Sequence, residues 1–372
     1  MSEKKKVLIV NDVLQYGGSD LVAVRLQQNL DKEKFECVYC VRHSYKGSYE
    51  PQLEKTGVRI IHQPDEQLGY IKSYKFYKNL FKKEHFDIVH SHLLFYSGLV
   101  LLAAKKCGIK KRVAHSHFSQ PLELSTSKLN KIIKVFYHFI MRLLLVFAAT
   151  DIIGCSKACG EYLAGKRGFA KKGIVLNNGI ETEKYAFDKN IRKSKRQELG
   201  IDDKIVLGHI GQMYYVKNHD FLIDVFYDFQ KENPDSVLLL ISDGQDRKKL
   251  ENKVASLKIS DKVKFLGFRN DIPELLMAMD CFVFPSIHEG FPLTLIEAQM
   301  DKLPCVVSDT ITNKVRLTDC LTFVPIDKGT TCWCKAIKEY VNINREETDI
   351  SKVISAFSIE GSAKKLEDIF MN

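Results

Sequence analysis

The chain has no pair of Cys-x-x-Cys units, the arrangement from which zinc modules are built, although it contains ten cysteines in 372 residues. They lie at 37, 40, 107, 155, 159, 281, 305, 320, 332 and 334, several inside apolar runs such as Phe35–Val41 and Asp280–Pro285. There they read as small buried hydrophobes kept reduced in a cytoplasm. A secretory core is missing as well. Met1 to Lys6 is polar and basic, and Val7–Val10 is too short for a signal core. No Gly-x-Gly-x-x-Gly is present, so a dinucleotide fingerprint is not supported. There is no low-complexity tract and no internal sequence repeat. Acid is scarce in one stretch: residues 105–142 carry nine Lys/Arg against the single Glu123.

What is present is the composition of a soluble globular protein, 45% apolar and 27% charged, long enough for two domains of ordinary size. The net charge of +10 is uneven: residues 1–183 carry +12 and the remainder −2. That asymmetry points to an anionic partner of the first half, either a membrane surface, a pyrophosphate lipid or a nucleic acid. No nucleic-acid recognition motif accompanies the charge, so a nucleic-acid binder is set aside.

Short apolar runs alternate with helical patterns in two series. The first runs from Lys6–Val10 to Gly173–Leu176, and the second from Ile205–Ile210 to Leu321–Val324. Alternation of this kind predicts parallel sheets wound by helices, and two series predict two doubly wound α/β domains. Ligands then bind beyond the carboxyl ends of strands. The polar, basic segment Glu181–Asp203 between the series reads as a linker with a short helix. Ile359–Phe370 reads as a closing helix with Ala363, Leu366 and Phe370 on one side.

Residues 128–147 combine two signals. Lys128, Lys131, Lys134, His138 and Arg142 recur at helical spacing on one face, and most of the rest is apolar. Such a helix reads as interfacial rather than spanning, its cations set against an anionic membrane; the other reading is a core helix with a solvated basic face.

The residues able to carry chemistry stand at strand ends. The segment Pro285–Glu297 places Glu289 in a loop and Glu297 on a following helix, with Gly290, Phe291 and Pro292 between them. A helix start offers free N–H groups and a favourable dipole, hence an anion site. Two carboxylates flanking an anion site suit a nucleotide sugar. Gly17-Gly18 opens an early helix and serves either to approach a phosphate or sugar or as a tight turn. Lys217 precedes another helix and could neutralise a departing diphosphate. Ser242-Asp243-Gly244 and Gly267-Phe268-Arg269-Asn270-Asp271 are strand-end turns able to shape a base pocket. His90-Ser91-His92 and His115-Ser116-His117 each follow a strand. Without clustered carboxylates they suggest a hydrogen bond to sugar or phosphate rather than a metal site.

In this order, Gly17-Gly18, His115-Ser116-His117, Asn178-Gly179-Ile180, Lys217-Asn218-His219, Gly267–Asp271 and Pro285–Glu297 resemble the family 4 retaining glycosyltransferases. The similarity is strongest to bacterial exopolysaccharide and capsule enzymes of the EpsF-like type. The resemblance implies a GT-B fold, two Rossmann-like domains facing a central cleft. Residues 1–183 would form the basic acceptor domain and 184–356 the donor domain, with 357–372 crossing back to the first. It implies a nucleotide-sugar donor, a UDP-sugar by resemblance, and a lipid-linked saccharide acceptor at the cytoplasmic face of the cell membrane. Glu289 would contact sugar hydroxyls, the amides of Gly290–Pro292 the phosphate, and Glu297 the ribose. Gln212, Gly244, Phe268 and Arg269 would complete the donor pocket. His117, or alternatively His115, would be the active-site histidine. No metal or other cofactor is expected, and the anomeric configuration would be retained.

Three positions depart from the family pattern. Gln212 stands where an arginine is usual, which removes a charge-assisted partner of the diphosphate. Lys302 stands where glycine is common, and Lys314 where the EpsF-like type has glutamate. The departure at Gln212 motivates a second expectation, a non-catalytic GT-B subunit that activates a partner transferase.

Overall fold

The computed structural model describes residues 4–15, 18–64, 69–117 and 128–372; the side chains of 18–21 and 128–134 lie outside that description. The chain forms two compact units, residues 1–179 with 359–372, and residues 180–358.

The first unit is built on a seven-stranded sheet. Its strands are β1 (Lys5–Asn11), β2 (Phe35–Val41), β3 (Arg59–His62), β4 (Ile88–Ser91), β5 (Lys111–Ser116), β6 (Asp151–Gly154) and β7 (Gly173–Val175). All pair in parallel, in the order β3-β2-β1-β4-β5-β6-β7. Val7 to Val10 are wholly buried, as a central strand covered on both faces requires. One face packs Leu8, Val10 and Val89 against helices 70–83, 97–106 and 128–148. The other packs Val7, Ile9 and Tyr39 against Ile359, Ala363, Leu366 and Phe370 of the helix Ile359–Met371. Each of these large apolar side chains stabilises the unit by about 1.5–3 kcal/mol through burial.

The second unit repeats the scheme with six strands, β8 (Ile205–Ile210), β9 (Ser236–Ile241), β10 (Val263–Gly267), β11 (Cys281–Phe284), β12 (Cys305–Ser308) and β13 (Leu321–Val324). Their order is β10-β9-β8-β11-β12-β13, again all parallel. In both sheets the strand order reverses beside the first strand, between β1 and β4 and between β8 and β11. Crevices for ligands open at such switch points.

Two expectations change. The segment 181–203 is not a free linker. Its helix Lys189–Leu199 is N-capped by the Asp188 carboxylate and closed by Gly200 in the left-handed conformation. Arg192 donates to the carbonyls of Met277 and Met279 and to Asp280, and Arg196 to the carbonyl of Ala278 and to Asp280, so the helix is part of the second unit.

The helix Lys128–Ala148 does not pack as a core helix with a solvated basic face, the alternative to the interfacial reading. His138 stacks on Phe95 at 4.4 Å, and Arg142 turns inward to donate to the Tyr162 carbonyl at 2.9 Å. Met141, Leu145 and Ala148 are buried beside them. Val135, Phe136, Phe139, Ile140, Leu143 and Phe147 are left exposed, the two phenylalanines Phe136 and Phe139 at 64% and 55%. The side chains of Lys128, Lys131 and Lys134 lie outside the described residues. No helix among the described residues is long and apolar enough to cross a membrane.

Lys302, at the end of the helix Leu293–Met300, has φ +56°, which explains why glycine suits this position. Gly98 meets a different constraint. A Cβ there would lie 2.6 Å from the Met141 carbonyl oxygen and 3.0 Å from the Leu145 nitrogen. Gly98→Ala is expected to lower stability by about 1–3 kcal/mol in urea unfolding through overpacking of the helix pair; an unchanged midpoint would show that the two helices can separate freely.

Candidate active site

At the switch point of the second unit, β8 and β11 send out two loops that are stitched together. The Ile287 amide donates to the Val216 carbonyl at 2.8 Å, and Asn218 Nδ2 donates to the Pro285 carbonyl at 3.3 Å. Asn218 itself is left-handed, a conformation that asparagine tolerates, and it starts the helix His219–Glu232. The stitching brings Lys217 and Glu289 together, with Nζ 2.7 Å from Oε1. The ammonium also lies 5.2 Å from the Phe284 ring centre. Gly211 makes this approach feasible: a Cβ there would sit 3.1 Å from both Cδ and Cε of Lys217. The Lys217–Glu289 contact is an ion pair, and Glu289 Oε1 makes no hydrogen bond among the described residues, so the ammonium keeps donors for a further anion.

Below the lysine lie two buried histidines absent from the sequence-level site. His209 Nδ1 donates to the Val283 carbonyl at 2.9 Å, and His219 meets it edge to face at 4.7 Å. Burial, reinforced by the charge of Lys217, lowers the His219 pKa to about 4. Both rings are neutral near pH 7, so Lys217 is the cation of this corner.

Glu297 sits on the helix Leu293–Met300, and its Oε1 accepts the Tyr185 hydroxyl at 2.8 Å. Tyr185 was not singled out in the sequence, because it stands in the segment read as a linker. Pro292 is the residue preceding the helix rather than its first turn, and Phe291 stacks on Phe357 with centres 5.4 Å apart. Gly290 is exposed in the loop between the two glutamates. Gly244 sets the spacing of the neighbouring loops: a Cβ there would lie 2.6 Å from the backbone N and O of Met213. Gln212 is exposed at the mouth of the same loops, and Phe268 is 75% exposed. Arg269 is already occupied. Its guanidinium is bidentate to Asp271, at 2.7 and 2.5 Å, and reaches Glu198 at 3.3 Å. Those carboxylates hold its pKa above the usual arginine value, so Arg269 does not stand in for the cation absent at Gln212.

In the first unit, β4 and β5 end in four clustered imidazoles. His117 Nδ1 lies 3.2 Å from Asn178 Oδ1, and its Nε2 lies 3.0 Å from His92 Nδ1. With the Asn178 oxygen as acceptor, His117 carries its proton on Nδ1 and accepts from His92 on Nε2. His90 Nε2 lies 3.2 Å from His115 Nδ1, and Gln27 Nε2 reaches His90 Nδ1 at 2.7 Å. Burial lowers the His117 pKa to about 4 and that of His90 to about 3. The same cause pushes His92 and His115 well below the ordinary histidine value, so all four rings are neutral. Gly18 is the first residue of the helix Gly18–Gln28; Gly17 lies outside the described residues.

Comparison with known proteins agrees in both units. Residues 16–184 match the family described as Glycosyltransferase Family 4, and residues 191–319 match Glycosyl transferases group 1. The chain is 28% identical to the putative glycosyltransferase EpsF of Bacillus subtilis (strain 168) over 358 residues, covering 94% of this chain and 91% of that protein. It is 30% identical to the UDP-Gal:alpha-D-GlcNAc-diphosphoundecaprenol alpha-1,3-galactosyltransferase of Escherichia coli over 312 residues, covering 79% of this chain and 77% of that one. Among solved structures, Anabaena Alr3699/HepE in complex with UDP and glucose superposes with a TM-score of 0.77 at 18% identity, covering 99% of this chain and all of that one. Both units carry the paired parallel sheets of the GT-B fold, and the chain belongs to the family 4 glycosyltransferases.

Proposed function

We propose that this glycosyltransferase moves a hexose or N-acetylhexosamine from a UDP-sugar to a lipid-linked saccharide, with retention and without a metal, in the synthesis of an exopolysaccharide or capsule. The observation that carries the reading is the Lys217–Glu289 pair at the switch point of the second sheet. Breaking the bond between sugar and diphosphate builds negative charge on the diphosphate. Lys217 has donors to meet that charge, and the start of the helix Leu293–Met300 adds N–H groups and a dipole of the right sign. A metal ion is therefore not required for this role. Glu289 holds the lysine, and its carboxylate remains able to accept a sugar hydroxyl. Glu297, fixed by Tyr185, is available for the ribose. His117 would be the active-site histidine; its Nδ1 is engaged by Asn178 and its Nε2 by His92, so it would meet a sugar only by giving up the His92 contact. The UDP in the HepE complex and the diphosphoundecaprenol acceptor named for the Escherichia coli relative support the choice of substrates.

Membrane association is part of the same proposal, with the enzyme peripheral at the inner face of the cell membrane. The exposed apolar face of the helix Lys128–Ala148 would enter the interface, with the basic first half drawn to anionic headgroups. The second reading, a non-catalytic subunit that activates a partner, is favoured by Gln212 together with the prior commitment of Arg269 to Asp271 and Glu198.

Glu289→Ala is expected to reduce sugar transfer at least 100-fold, about 3 kcal/mol of transition-state stabilisation, while the thermal melt stays that of a folded protein. Turnover equal to wild type in a radiolabelled UDP-sugar assay would remove Glu289 from the site. If the wild-type chain neither transfers nor hydrolyses donor alone but becomes active with a co-encoded partner, the subunit reading replaces the enzyme reading. Gln212→Arg should keep or raise donor affinity in isothermal titration; loss of binding would mean that the diphosphate does not pass this position. Phe139→Asp combined with Leu143→Asp should release the protein from vesicles of phosphatidylethanolamine and phosphatidylglycerol. Much of the wild-type binding should survive high salt, since apolar burial is not screened. Complete release of the wild type by salt would assign the attachment to charge alone.

A further inference from the structure

Each His-x-His unit is unremarkable alone, and the sheet register merges them. His90 lies in β4 and His92 just beyond it; His115 lies in β5 and His117 just beyond it. Residues two apart share a face of a strand. Ser91 pairs with Ala114, so one step further the register sets His92 opposite His115. One nitrogen each from His90, His92 and His115 lies within 4.8 Å of the other two. The Nε2 atoms of His92 and His115 are buried and make no hydrogen bond among the described residues. Two orphaned ring nitrogens in one buried cluster call for an explanation.

We propose that His90, His92 and His115 form a binding site for one divalent transition-metal ion of the imidazole-preferring kind, zinc or cobalt, within the first unit. Metal–nitrogen bonds of about 2.0–2.1 Å in a tetrahedral set put the ligand atoms about 3.3 Å apart. The ligand nitrogens lie within 4.8 Å of one another, so the widest separation must close by about 1.5 Å, within reach of side-chain rotation. The ligands must offer bare lone pairs. His92 Nε2 is bare as it stands, because its Nδ1 proton is donated to His117. Turning the Gln27 amide over reverses the polarity of the Gln27–His90–His115 chain. His90 Nδ1 then donates to the Gln27 oxygen, His115 Nδ1 donates to His90, and His115 Nε2 is left bare as well. His90 joins as third ligand when its Nε2 lone pair, which until then accepts from His115 Nδ1–H, turns to the ion; no proton is lost. The recorded partners of the cluster are amides and the Phe370 ring rather than carboxylates, which disfavours magnesium and calcium and favours ions that accept nitrogen. An ion on His92 Nε2 leaves the bond from His92 Nδ1 to His117 in place and makes it a stronger donor.

The test is a cobalt(II) titration of the metal-stripped full chain, followed by visible absorption and without any sugar nucleotide, so its outcome is independent of the transferase reading. Uptake of one equivalent is expected, with the intense bands of low-coordinate cobalt, reversed by zinc and unaffected by excess magnesium. His90→Gln and His115→Gln should each weaken uptake about tenfold or more, whereas the exposed His85→Gln should bind as wild type. Absence of stoichiometric uptake by the wild type, or only the weak bands of six-coordinate cobalt, would overturn the proposal. So would wild-type affinity in folded His90→Gln and His115→Gln. If either variant does not fold, the wild-type titration and His92→Gln decide.

Discussion

The parallel strand order of each sheet is the constraint on which both candidate sites depend. Parallel strands all deliver their loops to one edge. Where the order turns back, two adjacent loops diverge and leave a crevice with backbone on both sides. Between β8 and β11 that geometry brings together Lys217 and Glu289, 72 residues apart in the chain, and two hydrogen bonds between the loops fix their separation. At the ends of β4 and β5, adjacent parallel strands beside the reversal at β1, the sheet register gathers four histidines. Neither arrangement is local in sequence, and neither needs a particular loop length. The sheet imposes both.

How much of this was legible in sequence follows from what each element needs from its neighbours. Strands buried on two faces are continuous Val, Ile and Leu runs, so Val7–Val10 and Leu238–Ile241 could hardly be anything else, and two such series imply two sheets. The helix Lys128–Ala148 was legible as a helix but not in its orientation. Its periodicity gives two faces and does not say which one packs. Arg142 and His138 spend their polar atoms and rings on Tyr162 and Phe95, so the face that looks solvated in a helical projection is the packed one. Phe139 and Leu143, on the apolar side that the interfacial reading turns outward, are left exposed.

The same lesson governs the cations of the second unit. A charged residue at a strand end is a ligand group only if nothing nearby has already claimed it. Arg269 looks available until Asp271, two residues on, and Glu198, from a distant helix, are seen to neutralise it. Asp271 could have been weighed from sequence, but Glu198 could not, because the helix that carries it is anchored by Arg192 and Arg196 to the far side of Asp280. Tyr185 escaped notice for a related reason: its value lies in touching Glu297, 112 residues away.

Lys217 differs from Arg269 in a way that matters for chemistry. Its one carboxylate partner among the described residues is Glu289, which itself lies in the glycine-bearing loop where a sugar would approach, so the pair is not saturated. Lysine is a compact charge with three donors, and a single contact leaves others for an anion, whereas a bidentate guanidinium has most of its fork occupied. The neutral histidines beneath reinforce this. Had His209 or His219 been charged, either would compete with Lys217 for an anion. Burial denies them that charge, and the corner retains one cation whose only recorded counter-ion is itself a candidate substrate contact.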